Sequence, residues 1–270
     1  MTVLLAVAHG SRDEASQQVV RELLGKAVAL RPGLRAEAAY VDNATPSIAA
    51  AIDTLVRDGV DDIAVVPLLL TPASHSKTDI AASVQAARAR VPVRYGRPLG
   101  PHPLLVDVLA RRLAEAGVTD EPVLLVAGGA IDPDANAQVA ATARLLFEGR
   151  SFASVDIAFA STARPAVPEA LERFAQQGFS RIAVARYFLG PGRLPRLVEQ
   201  ATVGFDVLMT EPLGAADEVA ALLLHRFDEA LGEDIRMNCD ACLYRIPFRG
   251  RESYVGAAQR PHTHPDDAQR

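Results

Sequence analysis

Short runs of Val, Ala, Leu and Ile alternate along the chain with longer stretches whose apolar residues recur every three or four positions. The runs are strand-sized and continuously apolar, as in strands covered on both faces, and the stretches read as amphipathic helices. Val3–Ala8 (VLLAVA) predicts a strand, Glu14–Leu30 a helix and Leu34–Val41 a second strand. Pro46–Asp58 predicts a helix with proline in its first turn, where the missing N–H costs nothing, and Gly59 ends it. Asp62–Leu70, Thr78–Ala89, Val93–Tyr95 and Leu104–Ala116 continue as strand, helix, strand and helix. Strict alternation of this kind implies βαβ crossovers and a parallel sheet with helices on both faces.

The order then restarts. VLLVAGG at Val123–Gly129 mirrors VLLAVAHG at Val3–Gly10. Ala44-Thr45-Pro46 corresponds to Ala163-Arg164-Pro165, Gly59 to Gly178, and Ile63-Ala64-Val65 to Ile182-Ala183-Val184, each displaced by 119 residues. Later the displacement falls to 114, where Pro98-Leu99-Gly100 meets Pro212-Leu213-Gly214. A constant shift across separate elements marks duplication of a whole unit. The expected architecture is α/β, with two tandem homologous domains at 1–118 and 119–232 and a tail at 233–270. Ligands of such sheets lie at the carboxyl ends of the strands, and two facing halves create a cleft.

Composition narrows the function. A net charge of −5 argues against a general nucleic-acid binder, which needs a basic face to displace counterions. No apolar run reaches membrane-spanning length, and Met1-Thr2-Val3 leads directly into a strand without a signal segment. Two cysteines are too few for a disulfide scaffold, and the expected location is the cytoplasm.

The chemistry is expected where the repeat is broken. His9 follows the first strand, Asp42 closes the second and His75 lies beyond the third, so all three fall on one carboxyl edge. Their counterparts 119 residues on are Gly128, Ser161 and Leu194, none of which titrates near neutrality or ligates a metal readily. Two imidazoles and a carboxylate suit a divalent transition ion such as Fe²⁺, Co²⁺ or Ni²⁺, and suit proton transfer near neutral pH. The blander readings are a hydrogen-bonding histidine after a strand and, for Asp42 with Asn43, a turn before Pro46. His102 and His225 are read as structural. Ser11 and Arg12 in HGSR, with Ser74, Ser76 and Lys77 in SHSK, offer hydroxyls and cations for the carboxylates of an anionic substrate. Their alternative role is helix capping and solvation. No GxGxxG or GxxxxGK[ST] loop supplies a phosphate cradle.

HGSR after a first strand, YVDNATPSI, and VVPLLLTPASHSKTDI together resemble the sirohydrochlorin chelatases, relatives of the class II chelatases. The resemblance spans both repeats and is similar to the long bacterial form, in which ligands are kept in the first half. It implies ATP-independent insertion of a divalent metal, with Fe²⁺ expected and Co²⁺ the alternative, into sirohydrochlorin for sirohaem or cobalamin synthesis. By motif position it makes His9 and His75 the metal-binding and proton-accepting residues, and places Asp42 where the family often carries Glu. TPASH stands where a glycine-rich approach to the histidine is usual. Leu68–Leu70 and Tyr187-Phe188 are candidate apolar walls for the macrocycle.

The tail carries Cys239 and Cys242 as CxxC, followed by His262 and His264. Longer family members resemble it, with MxCxxC linked to an iron–sulfur centre. Two thiolates do not complete a Cys₄ site, so a homodimer partner, the terminal histidines or non-protein ligands would complete it. A zinc clip, a redox pair and a metal-acquisition tail compete with that reading. Two other function classes stand beside the chelatase. One is a metal carrier or storage protein without catalysis. The other is a histidine phosphotransfer enzyme, disfavoured because Ala8 occupies the place of the arginine such enzymes set before the histidine.

Overall fold

The computed structural model describes residues 2–150 and 152–232, and beyond them 244, 247, 250 and 252–257. β1 (Val3–Ala8) is buried at every position and lies centrally, paired in parallel with β2 (Ala36–Tyr40) and β3 (Ile63–Pro67). β4 (Val93–Tyr95) extends the sheet beyond β3, giving the order β2-β1-β3-β4. The crossovers are α1 (Glu14–Leu30), α2 (Ile48–Arg57), and the pair α3 (Ser74–Lys77) and α4 (Asp79–Ala87). After α5 (Pro103–Glu115) the plan repeats: β5 (Val123–Ala127), α6 (Pro133–Gly149), β6 (Val155–Phe159), α7 (Val167–Gln176), β7 (Ile182–Arg186), α8 (Arg193–Ala201) and β8 (Val207–Met209), ending in α9 (Asp217–Leu231). The second sheet has the order β6-β5-β7-β8, also parallel throughout. The protein is therefore α/β with two repeats. No helix among the described residues is long and apolar enough to cross a membrane.

The duplication extends to the packed faces. α2 buries Ile48, Ala51, Ile52 and Leu55, the i, i+3, i+4, i+7 stripe of a helix lying on a sheet. α7 buries Val167, Ala170, Leu171 and Phe174, the same four positions 119 residues on. Each stripe joins a core of Val, Ile, Leu and Ala from its own sheet. Full burial of each large aliphatic side chain contributes about 1.5–3 kcal/mol, so an aromatic-poor chain still closes two cores.

Several element boundaries differ from the sequence pattern: β2 and β3 are shorter, β3 ending at Pro67 and not Leu70, and two further differences bear on the site. Pro46 is not in the first turn of α2: Ser47 caps that helix, its hydroxyl accepting the Ala50 N–H at 3.1 Å. Pro46 instead lies in the bend before the helix, where its carbonyl accepts the Tyr40 N–H at 3.0 Å. The stretch expected as one helix from Thr78 begins earlier, at Ser74, and is broken at Thr78 (φ −118°, ψ −70°), so His75 sits on a helical turn of its own.

Packing divides the chain differently from the repeat. Among the described residues, one compact unit comprises 2–99, Asp132–Asp134 and those from 220 onward; the other comprises Gly100–Ile131 and those of 135–219. The sequence division at 118/119 follows the duplication, whereas in the packed units α5 belongs to the second and most of α9 to the first.

Candidate functional site

The first sheet brings three strand ends to one edge, with Ala8 level with Tyr40 and Val7 level with Pro67. His9 is the first residue beyond β1 and is exposed. Gly10 follows with φ +94°, and a Cβ built there would stand 1.6 Å from the Asp42 carbonyl oxygen. Only glycine allows that approach. It lets the Asp42 N–H donate to the His9 carbonyl at 2.9 Å, tying the ends of β1 and β2 together. The second repeat keeps this device. Gly129 has φ +84° with its absent Cβ 2.0 Å from the Ser161 carbonyl oxygen, and the Ser161 N–H donates to the Gly128 carbonyl at 3.1 Å. The loop scaffold is thus duplicated without the histidine.

His75 arrives from β3 on α3. Its ring lies edge to face with that of His9, with centroids 4.5 Å apart and planes at 78°. At metal–nitrogen distances of about 2.0–2.1 Å, the centroids of two imidazoles sharing an ion lie at most about 6 Å apart, so the pair is close enough to share one. His75 Nδ1 is 2.9 Å from Asp79 Oδ2, four residues along. With Asp79 accepting the Nδ1 proton, Nε2 carries the lone pair, the arrangement that orients ligating and proton-accepting histidines. Asp79 is buried and also accepts from the Thr78 hydroxyl at 3.1 Å. Sequence reasoning missed Asp79; the signal was its i, i+4 spacing from His75.

Crowding by surrounding protein lowers the His9 pKa below its ordinary 6.5, and the adjacent His75 lowers it further. The neighbouring backbone and the Asp42 carboxylate act in the opposite direction without overcoming these effects. His9 is therefore a neutral imidazole at pH 7, able to bind a metal or accept a proton.

Asp42 does not complete a three-donor set. Its two oxygens accept the backbone and side-chain N–H groups of Asn43, both at 2.8 Å, holding Asn43 at φ +56°. No cluster of three or more His, Cys, Asp or Glu suited to a metal is present among the described residues. Asp42 makes the contacts of a turn, with Asn43 engaging both oxygens locally.

The expected substrate-binding groups divide. Arg12 is exposed and Ser74 is exposed at the start of α3. The Ser11 hydroxyl accepts the Asp13 N–H at 3.0 Å ahead of α1. Ser76 is fully buried, donating to the Ala73 carbonyl at 2.9 Å, so it is unavailable to a ligand. Lys77 corrects its expectation as well. Its ammonium lies 2.7 Å from Asp132 Oδ2 and 2.9 Å from Asp134 Oδ2, with both aspartates buried and the Lys77 side chain 9% exposed. Burial opposes its charge, but the two carboxylates outweigh that and raise its pKa. Among the proposed walls, Leu68 and Tyr187 are buried, Leu69 packs on the first core, and Tyr187 keeps its hydroxyl 3.5 Å from Thr142. His102 caps α5, accepting the Leu104 N–H at 3.1 Å, as a structural histidine would. Cys239, Cys242, His262 and His264, with the iron–sulfur and zinc expectations, lie outside the described residues.

The sequence model of the CbiX family matches twice, over residues 3–116 and 122–230. The chain belongs to the CbiX family. Both matches fall on the duplication, so each repeat is a CbiX unit. Among curated relatives, a sirohydrochlorin cobaltochelatase of Priestia megaterium is 30% identical over 263 residues, covering 91% of this chain and 85% of its own. A sirohydrochlorin ferrochelatase of the same organism is 30% identical over 238 residues, covering 84% and 89%. The solved structure of SirB from Bacillus subtilis with Fe³⁺ superposes with a TM-score of 0.75 at 28% identity, covering 86% of this chain and 97% of that one. SirB from Bacillus subtilis subspecies spizizenii in complex with cobalt gives 0.72 at 26% identity, again covering 86% and 97%.

Proposed function

We propose that this CbiX protein is a sirohydrochlorin chelatase that inserts a divalent metal, Fe²⁺ by expectation and Co²⁺ as the alternative, without ATP. The observation that carries the reading is the edge-to-face pair of His9 and His75 at one sheet edge. Relatives that cover most of the chain are named for both metals, and imidazole ligates both.

Metallation removes two pyrrole protons and exchanges solvent ligands of the ion for macrocycle nitrogens. In this reading His9 and His75 hold the ion weakly, leaving most of its coordination open to the macrocycle. The neutral His9 ring accepts a proton as the metal is transferred. Asp79, accepting the His75 Nδ1 proton, leaves the lone pair on Nε2. Arg12 and Ser74, both exposed, are the groups assigned to the substrate's carboxylates. The reading places the reaction in the cytoplasm and the macrocycle as the partner. A storage protein would profit from a closed shell of protein donors, so a two-imidazole set favours delivery over retention.

The test follows sirohydrochlorin absorbance with Fe²⁺ or Co²⁺. His9→Ala and His75→Ala are each expected to lower metallation about a hundredfold or more, with the fold intact. Near wild-type rates in both variants overturn the assignment.

A further inference from the structure

Lys77, Asp132 and Asp134 form a buried ion triad that the proposed chemistry does not use. The triad carries one cation against two anions, and its side chains are 9%, 2% and 2% exposed. Such a group costs desolvation and is a poor source of net stability. Its placement is more telling. Lys77 ends α3, the four-residue turn that carries His75. The same turn is held by Tyr95, whose hydroxyl donates to the Ser76 carbonyl, and by Thr78, whose hydroxyl donates to the Ser74 carbonyl at 2.7 Å. Asp132 and Asp134 lie at the entry to α6, in the repeat that lacks the histidines, yet they pack in the first unit. Asp132 Oδ1 accepts the Asp134 backbone N–H at 3.1 Å, so the Asp132 carboxylate is held against the first turn of α6. Asp132 corresponds to Asp13, which makes the same contact with Ala15 ahead of α1. Asp134 corresponds to Ala15, which has no carboxylate, so this acid occurs only in the repeat where it meets Lys77.

A single turn is too short to hold its own geometry, since helix formation has a costly nucleus. An ammonium is a compact point charge that fits between two acids, unlike the broad fork of arginine that supplies nearly all other positive charge here. We propose that the Lys77–Asp132–Asp134 triad is a positioning clamp. It fixes the α3 turn so that the His75 ring stands against His9, and it gives the histidine-free repeat a part in the reaction. Lys77 is then a positioning residue and not a substrate anchor, and the two roles move different kinetic parameters.

The activity arm of the test rests on the chelatase reading; the binding arm does not. Lys77→Met/Asp132→Asn/Asp134→Asn removes every charge of the triad together. In metallation assays the triple variant is expected to lose about tenfold or more in kcat with KM for sirohydrochlorin unchanged. Its affinity for Co²⁺ alone, followed by visible absorption and by NMR of the His75 ring, is expected to fall about tenfold. Unchanged kcat and Co²⁺ affinity, or a rise in KM with kcat intact, overturn the clamp. Failure of the wild-type protein to metallate sirohydrochlorin while Co²⁺ affinity still falls in the variant sinks the chelatase reading and supports the clamp. If the triple variant does not fold, Asp134→Asn keeps Asp132 beside Lys77; a several-fold loss of kcat supports the inference and an unchanged kcat overturns it.

Discussion

A proton added to His9 must be carried in a crowded place beside a second imidazole, and both circumstances favour the neutral ring. Below its pKa the ring neither ligates nor accepts a proton. Metallation is therefore expected to rise with pH through a midpoint below 6.5 and to be flat above it, as read from a pH–rate profile. Replacing His75 by alanine removes one of the two depressing causes. NMR titration of His9 in that variant is expected to show a midpoint raised above that of the wild-type protein. Stability follows the same sign. The unfolded chain binds this proton at about 6.5 and the folded chain only at lower pH, so acidification between those values weakens the fold, and His9→Ala is expected to lessen that loss in denaturant melts. A His9 midpoint at or above 6.5 contradicts the account.

At the scale of elements, what the sequence shows best is what repeats. Strand and helix order follow from apolar period, and the pairing of His9 with His75 follows from the rule that parallel strands present their carboxyl ends together. What it hides is competition for the same polar groups. Nothing in YVDNATPSI shows that Asn43 will occupy both Asp42 oxygens, or that Lys77 will meet acids 55 and 57 residues away. The first depends on the backbone conformation of a loop, the second on tertiary contact. The connection between β1 and β2 lies between these extremes, because a glycine after a strand is visible while the carbonyl that requires it is not. Gly10→Ala places a Cβ on the Asp42 carbonyl at a φ of +94°, and the obstacle is backbone. The expected cost is about 2 kcal/mol or more, with loss of activity from a displaced His9, measured by denaturant unfolding and by metallation. Wild-type stability in that variant contradicts the close approach.

For the molecule as a whole, duplication has not produced two self-sufficient halves, because the first unit takes its closing helix from the end of the second repeat. Arg226 on α9 is almost wholly buried; its guanidinium donates to the carbonyls of Pro98 at 3.0 Å and Leu99 at 2.7 Å, and pairs with Glu229. Arg97 also binds Glu229, at 2.6 Å, and Arg31 binds Asp228 at 2.6 Å while lying over the Phe227 ring. In the second unit Arg112 on α5 donates to the carbonyl of Leu213 at 3.0 Å, in the Pro-Leu-Gly turn equivalent to that held by Arg226. Each turn is thus held by an arginine from the helix encoded in the other repeat. A fragment ending at residue 118 would keep α5 but lose α9, leaving the Pro98 and Leu99 carbonyls without their donor and Arg97 without Glu229. Removing one member of such a buried charged group costs about 3–5 kcal/mol, a large share of a domain's stability. The 1–118 fragment is expected to lack a cooperative thermal transition as a monomer, and Arg226→Ala in the full chain to lose about 3–5 kcal/mol in denaturant unfolding while keeping both histidines. A fragment that melts cooperatively as a monomer near the full-length temperature would show that the first repeat closes its own core, and the exchanged helix would then be dispensable for bringing His75 to His9.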